Sequence, residues 1–268
     1  MYLHTPLANT ALMSGAAGDG SAQAAAFIAA MTTPPSGARN TLITNCIKGL
    51  WADGVFQLGD ALYLLAAADS QAASINAITP GTFNLTAVNS PTFTADQGFA
   101  GGNTKYLNTN FNPFTATSPK YQRDNASLGG WSLESAADSG AVLGALGARY
   151  QQFEITPFYS GGTFYGGVNS TAEVSFASGV TDGSGFRLLS RTSSSAITAY
   201  SGSSVLSTVS IGSFAIVSDT VVLLNDANGA APYSGTVSAA WIGAGLNATQ
   251  EAALYSRLQT YLHGVGAV

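Results

Sequence analysis

Apolar residues recur at helical spacing in the first part of the chain. Ser21 stands before an apolar run, Ala22 to Met31, in which Phe27, Ile28 and Met31 recur, so Ser21 is expected to cap a short helix that Pro34 and Pro35 end. Ser36 opens a second helix carrying Leu42, Ile43, Cys46, Ile47 and Leu50, which Gly54 breaks. Leu58, Leu62 and Leu65 suggest a third amphipathic turn or two through Asp60-Ala-Leu-Tyr-Leu-Leu. Residues 1–20 lack such a pattern and read as an irregular Gly/Ala-rich arm, so the first expected units are that arm and a helical segment over 21–78.

From Phe83 the period changes to two. Short runs rich in Val, Thr, Phe and Tyr alternate with Gly, Asn, Asp and Ser turns, the signature of strands. Phe153 to Tyr159, a Ser160-Gly-Gly-Thr turn and Phe164 to Val168 read as a hairpin. Phe186 to Arg191 alternates, and Thr220 to Leu224 runs into Asn225-Asp-Ala-Asn-Gly, where Asn228-Gly229 favours positive φ. Many short strands with closely spaced turns predict an antiparallel β-sandwich or barrel over 79–246. Residues 247–268 are helical again. Asn247 caps, Gln250 completes a capping box, and Leu254, Leu258, Tyr261, Leu262 and Val265 form one apolar stripe. That stripe either packs back on the sandwich or meets another subunit.

Three stretches carry a family resemblance. They are Trp51-Ala-Asp-Gly-Val-Phe-Gln-Leu-Gly-Asp-Ala-Leu-Tyr-Leu-Leu-Ala-Ala; Asn84-Leu-Thr-Ala-Val-Asn-Ser-Pro-Thr-Phe-Thr-Ala-Asp-Gln-Gly-Phe-Ala-Gly with Tyr106-Leu-Asn-Thr-Asn-Phe-Asn-Pro; and Trp241-Ile-Gly-Ala-Gly-Leu-Asn-Ala-Thr-Gln with Leu254-Tyr-Ser-Arg-Leu-Gln-Thr-Tyr-Leu. Over about residues 40–265 the chain resembles virion-associated proteins of tailed phages and prophages with a concanavalin A-like lectin/glucanase (laminin G-like) domain. The resemblance implies a mainly β fold, a concanavalin A-like jelly roll flanked by the helical segments. It also implies a structural or appendage protein of the virion, of tail, head-decoration or fibre type. Its partners would then be other virion proteins, copies of itself and a host surface polysaccharide. A stand-alone glycan-binding module is the alternative, and a polysaccharide hydrolase the third reading.

Composition narrows these readings. Charged residues are 9% of the 268, against about 25% in an average soluble domain, and Gly, Ser, Thr, Asn and Ala take their place. Such a surface suits strands that lie against neighbouring chains, with few charges to desolvate, and suits a plain secreted or repetitive β protein as well. Net charge is −5 and the nine Lys and Arg are scattered, which argues against nucleic acid as a partner. No uncharged run of large apolar residues is long enough to suggest membrane insertion. Met1-Tyr-Leu-His lacks a basic start, so no signal peptide is expected and the expected location is the virion, after synthesis in a host cytoplasm. Cys46, the single cysteine, reads as a buried small hydrophobe.

Candidate chemistry is sparse, and no enzyme activity is expected. The two histidines, His4 and His263, lie near the ends; there is no Gly-x-Ser-x-Gly elbow and no phosphate loop, and zinc ligands are too few. Glycoside hydrolysis needs paired carboxylates. Glu134 and Asp138 are the nearest pair, in what looks like a turn, while Glu154 and Glu173 stand alone on their strands and the Glu-x-Asp-x-x-Glu pattern of glucanases is absent. No cofactor is expected except Ca2+, for which Asp226 and Asn228 in one Asx-rich turn, and Asp182 in another, offer oxygens; a plain turn explains the same residues. Tyr159, Tyr165 and Tyr200 flank Gly/Ser turns and are the candidate glycan platform, with packing as the other reading. Trp131 and Trp241 sit in alternating apolar strands and belong to the core.

Overall fold

In a computed structural model that describes residues 18–146, 152–226 and 229–268, two antiparallel sheets lie face to face and helices cover the back of one of them. Sheet A is built from β1 (Gly59–Leu64), β3 (Thr92–Thr94), β4 (Gly98–Ala100), β6 (Ala126–Ser132), β11 (Gly185–Arg191), β12 (Ala196–Ser201), β13 (Ser204–Ser210) and β15 (Thr236–Gly243). Its order is β13-β12-β11-β6-β15-β4-β3, with β1 also paired to β15. Sheet B contains β2 (Thr86–Val88), β5 (Tyr106–Asn108), β7 (Leu143–Leu146), β8 (Gln152–Tyr159), β9 (Thr163–Ser170), β10 (Val174–Ser178) and β14 (Val222–Leu223), in the order β10-β9-β8-β7-β14-β5-β2. The expected antiparallel sandwich is the fold observed. The part of the expected arm spanning residues 1–17, including His4, lies outside the described residues.

The interior forms where inward positions of the two sheets meet. Leu128, Leu189 and Ile242 from sheet A face Phe153, Ile155, Val168 and Leu223 from sheet B, all fully buried. A β-carbon on Gly166 of β9 would lie 2.6 Å from Leu189 Cδ1, which shows how closely the layers approach. Arg191 is buried among them; its Nε donates to the Val168 carbonyl at 2.8 Å and its Nη1 to that of Ile211 at 3.1 Å.

The other face of sheet A is apolar too: Trp131, Phe186, Leu188 and Trp241 point away from sheet B and need a cover. Helices α2 (Gly37–Ala52) and α4 (Ala248–Val265) supply it, with α1 (Ser21–Ala29) packed on α2. Between them lies the single turn α3 (Ser70–Ala73), capped by Asp69, whose carboxylate accepts the Ala72 N–H at 2.9 Å. Two glycines let α2 and α4 close up: a β-carbon on Gly49 would meet Arg257 Nε at 2.5 Å, and one on Gly264 would meet Leu42 Cδ2 at 2.4 Å. The Asn247–Gln250 capping box is present in both directions, and Leu254, Leu258, Tyr261 and Leu262 are buried. The C-terminal stripe therefore packs within the same chain. Among the described residues no helix is long and apolar enough to cross a membrane.

Three local expectations are corrected. Ser21 is the first helical residue rather than the cap; Gly20, at φ 82°, takes that place, and Asp19 Oδ1 accepts the Ser21 N–H at 3.0 Å. The helix expected through Asp60–Leu65 is strand β1, pairing Leu62 with Trp241 and Leu64 with Ala239. With sheet neighbours on one side and helices on the other, Ala61 to Leu65 are all buried, so the period-two signal is erased and leucines four apart mimic a helix. Residues 21–78 are consequently not a separate helical unit, because β1 is built into sheet A. Gly98 begins β4 at φ 125°, where a β-carbon would collide with the Val237 carbonyl oxygen.

Candidate functional site

Among the described residues no helix packs on the outer face of sheet B, and the residues that point there from β7, β8 and β9 form the candidate site. The hairpin read in the sequence exists, and its register decides the neighbours: Glu154 lies opposite Gly167 on β9 and Gly144 on β7, while Thr156 lies opposite Tyr165. Phe153 and Ile155 point inward, so Glu154 and Thr156 point out. With glycine on either side, Glu154 stands in a trough with no side-chain wall from its direct neighbours. The Asn225–Asp226 segment passes over β7 there, close enough that a β-carbon on Gly144 would be 2.9 Å from the Asn225 carbonyl oxygen and 3.0 Å from Asp226 Cα.

Three carboxyl groups converge. Glu154 is only 7% exposed; Thr156 Oγ1 donates to its Oε1 at 3.0 Å, and Glu173, on the approach to β10, is hydrogen-bonded to it. Burial raises the Glu154 carboxyl well above the usual carboxylate range, the Glu173 charge pushes the same way, and Asp226 adds to it, while the Thr156 hydroxyl opposes. Asp226 is itself buried and its Oδ1 accepts the Ala230 N–H at 2.7 Å, which ties the turn. Asn228, named with Asp226 as a Ca2+ ligand, lies outside the described residues. Among the described residues no group of three or more His, Cys, Asp or Glu side chains is placed to hold a metal ion.

Beside the carboxyls stands an aromatic pair. Tyr159, at the end of β8, is 42% exposed, and Tyr165 is half-buried; their rings meet edge to face at 5.3 Å and 82°. Tyr200 is not with them, which corrects the platform of three. It is 4% exposed on β12, turned to the helix-covered face of sheet A near Glu251. Trp131 and Trp241 are buried as expected; they too face the helices, and Trp241 Nε1 donates to Ser127 Oγ at 2.8 Å. Glu134 and Asp138 hold loops: Glu134 accepts the Ala136 N–H at 2.9 Å, and Asp138 accepts those of Gly140 and Ser234, both at 2.8 Å.

The Glu154–Glu173 pair was missed because each residue was read on its own strand. The hairpin held the missing information. Val174 pairs with Gly166 across β9–β10, which brings Glu173 beside Gly167, the partner of Glu154.

No protein-family model matches the chain, and no curated protein matches it in sequence. Solved structures match in fold. The receptor binding domain of a botulinum neurotoxin mosaic serotype C/D superposes with a TM-score of 0.50 at 9% identity, over 75% of this chain and 51% of the other. Domain 4 of an extracellular arabinanase from Geobacillus stearothermophilus, in complex with arabinotriose, matches with a TM-score of 0.42 at 15% identity, over 74% of this chain and 98% of that domain. The chain spans about half the length of the toxin binding domains it matches. At these identities the likeness is one of fold, a lectin-like β-sandwich.

Proposed function

We propose that this chain is a non-catalytic glycan-recognition module carried on a phage or prophage virion as a tail or head appendage. The observation that carries the recognition reading is the exposed Tyr159 ring, with half-buried Tyr165 against it, beside the buried Glu154 carboxyl on the outer face of sheet B. Sugars offer an apolar C–H face and a ring of hydroxyls. The open ring of Tyr159 takes the first, and the tyrosine hydroxyls with Glu154 and Glu173 take the second. A Glu154 that keeps its proton both donates and accepts, so it suits neutral hydroxyls. The matching toxin domain is, by its description, a receptor binding domain, and that supports surface recognition as a use of this fold. The motifs around Trp51, Asn84 and Trp241 support the virion role, as does a surface poor in charge.

The carboxyl pattern favours binding over hydrolysis. Two catalytic carboxyls flank the scissile bond about 5–9 Å apart. The Glu-x-Asp-x-x-Glu pattern that sets such a pair in the glucanases is absent from this chain. The test is an array of bacterial surface polysaccharides probed with the full chain, together with its mass in solution. Binding to at least one glycan and self-association support the reading; a blank array removes the recognition role, and a strict monomer at high concentration counts against the assembly role.

A further inference from the structure

A cleft of about 820 Å3 opens between the C-terminal end of α2, the start of β1, the 78–83 loop and the loop 110–120. It shares no lining residue with the Tyr159 face. We propose that this cleft is a second, independent carbohydrate site, taking a neutral saccharide chain.

Its walls have the chemistry for that ligand. Trp51 and Phe83 line it as half-buried aromatics, Trp51 tilted on Phe56 at 5.7 Å and Phe83 edge-on to Phe111 at 4.9 Å. The remaining lining is dominated by uncharged amides and hydroxyls. Asn112 Oδ1 accepts the N–H groups of Phe114 and Thr115, which leaves its Nδ2 donor without a partner among the described residues. Asn110 and Gln57 use their amide nitrogens, Asn110 on the Asn84 carbonyl at 2.7 Å and Gln57 on that of Trp51 at 3.3 Å. Their acceptor oxygens remain for a ligand. The charged residues of the lining are Asp60 and Lys120, whose formal charges sum to zero, and both oxygens of Asp60 accept the backbone N–H groups of Lys120 and Tyr121, each at 2.7 Å. The lining thus carries no net positive charge to favour an anionic sugar, and its amides and hydroxyls suit neutral hydroxyls.

The cleft is also held in shape before any ligand arrives. Buried Asn76 donates through Nδ2 to the carbonyls of Asp60 and Thr82 and accepts at Oδ1 from Leu62 and Ile78 N–H. Asn84 Oδ1 accepts the N–H groups of Asn76 and Gly81. These bonds fix the 78–83 wall to β1. Three lining residues that are not glycine, Phe83, Asn110 and Ser118, sit at φ 58°, 57° and 51°. A bulky side chain such as Phe pays strain in that region, and the surrounding bonds hold it there; the Phe83 carbonyl accepts the Tyr63 hydroxyl at 2.6 Å. Preordered walls reduce the ordering lost on binding.

The fluorescence of the full chain reads this cleft directly, because Trp51 is half-exposed in it while Trp131 and Trp241 are buried under the helices. The probes are neutral oligosaccharides built on glucose, galactose, mannose and N-acetylglucosamine, with oligogalacturonate and oligosialate as acidic counterparts. The expected result is a shift of tryptophan emission by at least one neutral probe, unchanged in about 0.5 M salt, where exposed charges are screened. Calorimetry should then give affinity retained in Tyr159→Ala and weakened by about tenfold or more in Asn112→Ala and Trp51→Ala variants that melt like the parent. Response to acidic probes alone overturns the proposal. So does silence from every neutral probe, or binding lost in Tyr159→Ala and kept in Asn112→Ala; that last pattern leaves the sheet-face reading standing alone, while the reverse pattern leaves the cleft alone.

Discussion

Trp131 of β6 and Tyr255 of α4 stack with ring centroids 5.4 Å apart and planes only 6° from parallel. This contact fastens the C-terminal helix to the back of sheet A, with Phe186 completing the cluster at 5.9 Å from Trp131. Removing the ring in Tyr255→Ala costs the stack and part of the cover over Trp131, about 2–3 kcal/mol. Denaturant unfolding checks the loss, and native Trp131 emission should move to longer wavelength as its face meets water.

One turn earlier on the same helix, Glu251 is fully buried and neither carboxyl oxygen has a hydrogen-bond partner among the described residues. Burial pushes its carboxyl from 4.5 up to about 8. The folded state thus holds this proton more tightly than the unfolded chain does. Its contribution is complete below about pH 4.5 and declines as pH rises through about 8. Stability curves of the parent and of Glu251→Gln should diverge across that window, the variant gaining on the parent toward alkaline pH. Parallel curves from pH 5 to 9 would show the carboxyl to be normally ionised.

At the candidate site, Gly144 carries the Asn225–Asp226 segment directly on its α-carbon. Gly144→Ala forces that segment outward, since backbone atoms rather than a flexible side-chain end stand about 3 Å from the new methyl group. The expected cost is roughly 1–3 kcal/mol. Hydrogen exchange should speed up at the Ala230 N–H that Asp226 holds, while the β11–β12 amides on the far sheet stay protected.

Asn76 is the corresponding keystone of the cleft. In Asn76→Ala the buried N–H of Leu62 and the part-buried N–H of Ile78 and carbonyls of Asp60 and Thr82 lose their partner. A loss of about 1–3 kcal/mol is expected in thermal or chemical denaturation, because one buried group and several part-buried ones are orphaned at once.

What the sequence displayed and what it concealed divide along physical lines. Local signals were legible: the Asn247–Gln250 box, the β8–β9 hairpin, Gly54 ending α2, and Cys46 buried in it. Each is written within a few residues. Features that depend on what lies on both sides of a strand were not. β1 looked helical because both its faces are covered, and Tyr200 looked exposed because a Gly turn follows it, although α4 closes over its face. The site was hidden for a third reason: Glu154, Glu173 and Asp226 are 19 and 53 residues apart in sequence, joined by register and by a loop crossing β7.

The most direct test of the account is calorimetric titration of bacterial surface polysaccharides into the full chain and into Tyr159→Ala and Glu154→Gln, with reducing ends assayed in the same samples. Glycan recognition on the outer face of sheet B predicts binding by the parent, a loss of about tenfold or more (~1.4 kcal/mol) in Tyr159→Ala, weakened binding in Glu154→Gln, and no product in any sample. Reducing ends released by the parent and abolished by Glu154→Gln, or affinity indifferent to both substitutions, would contradict it.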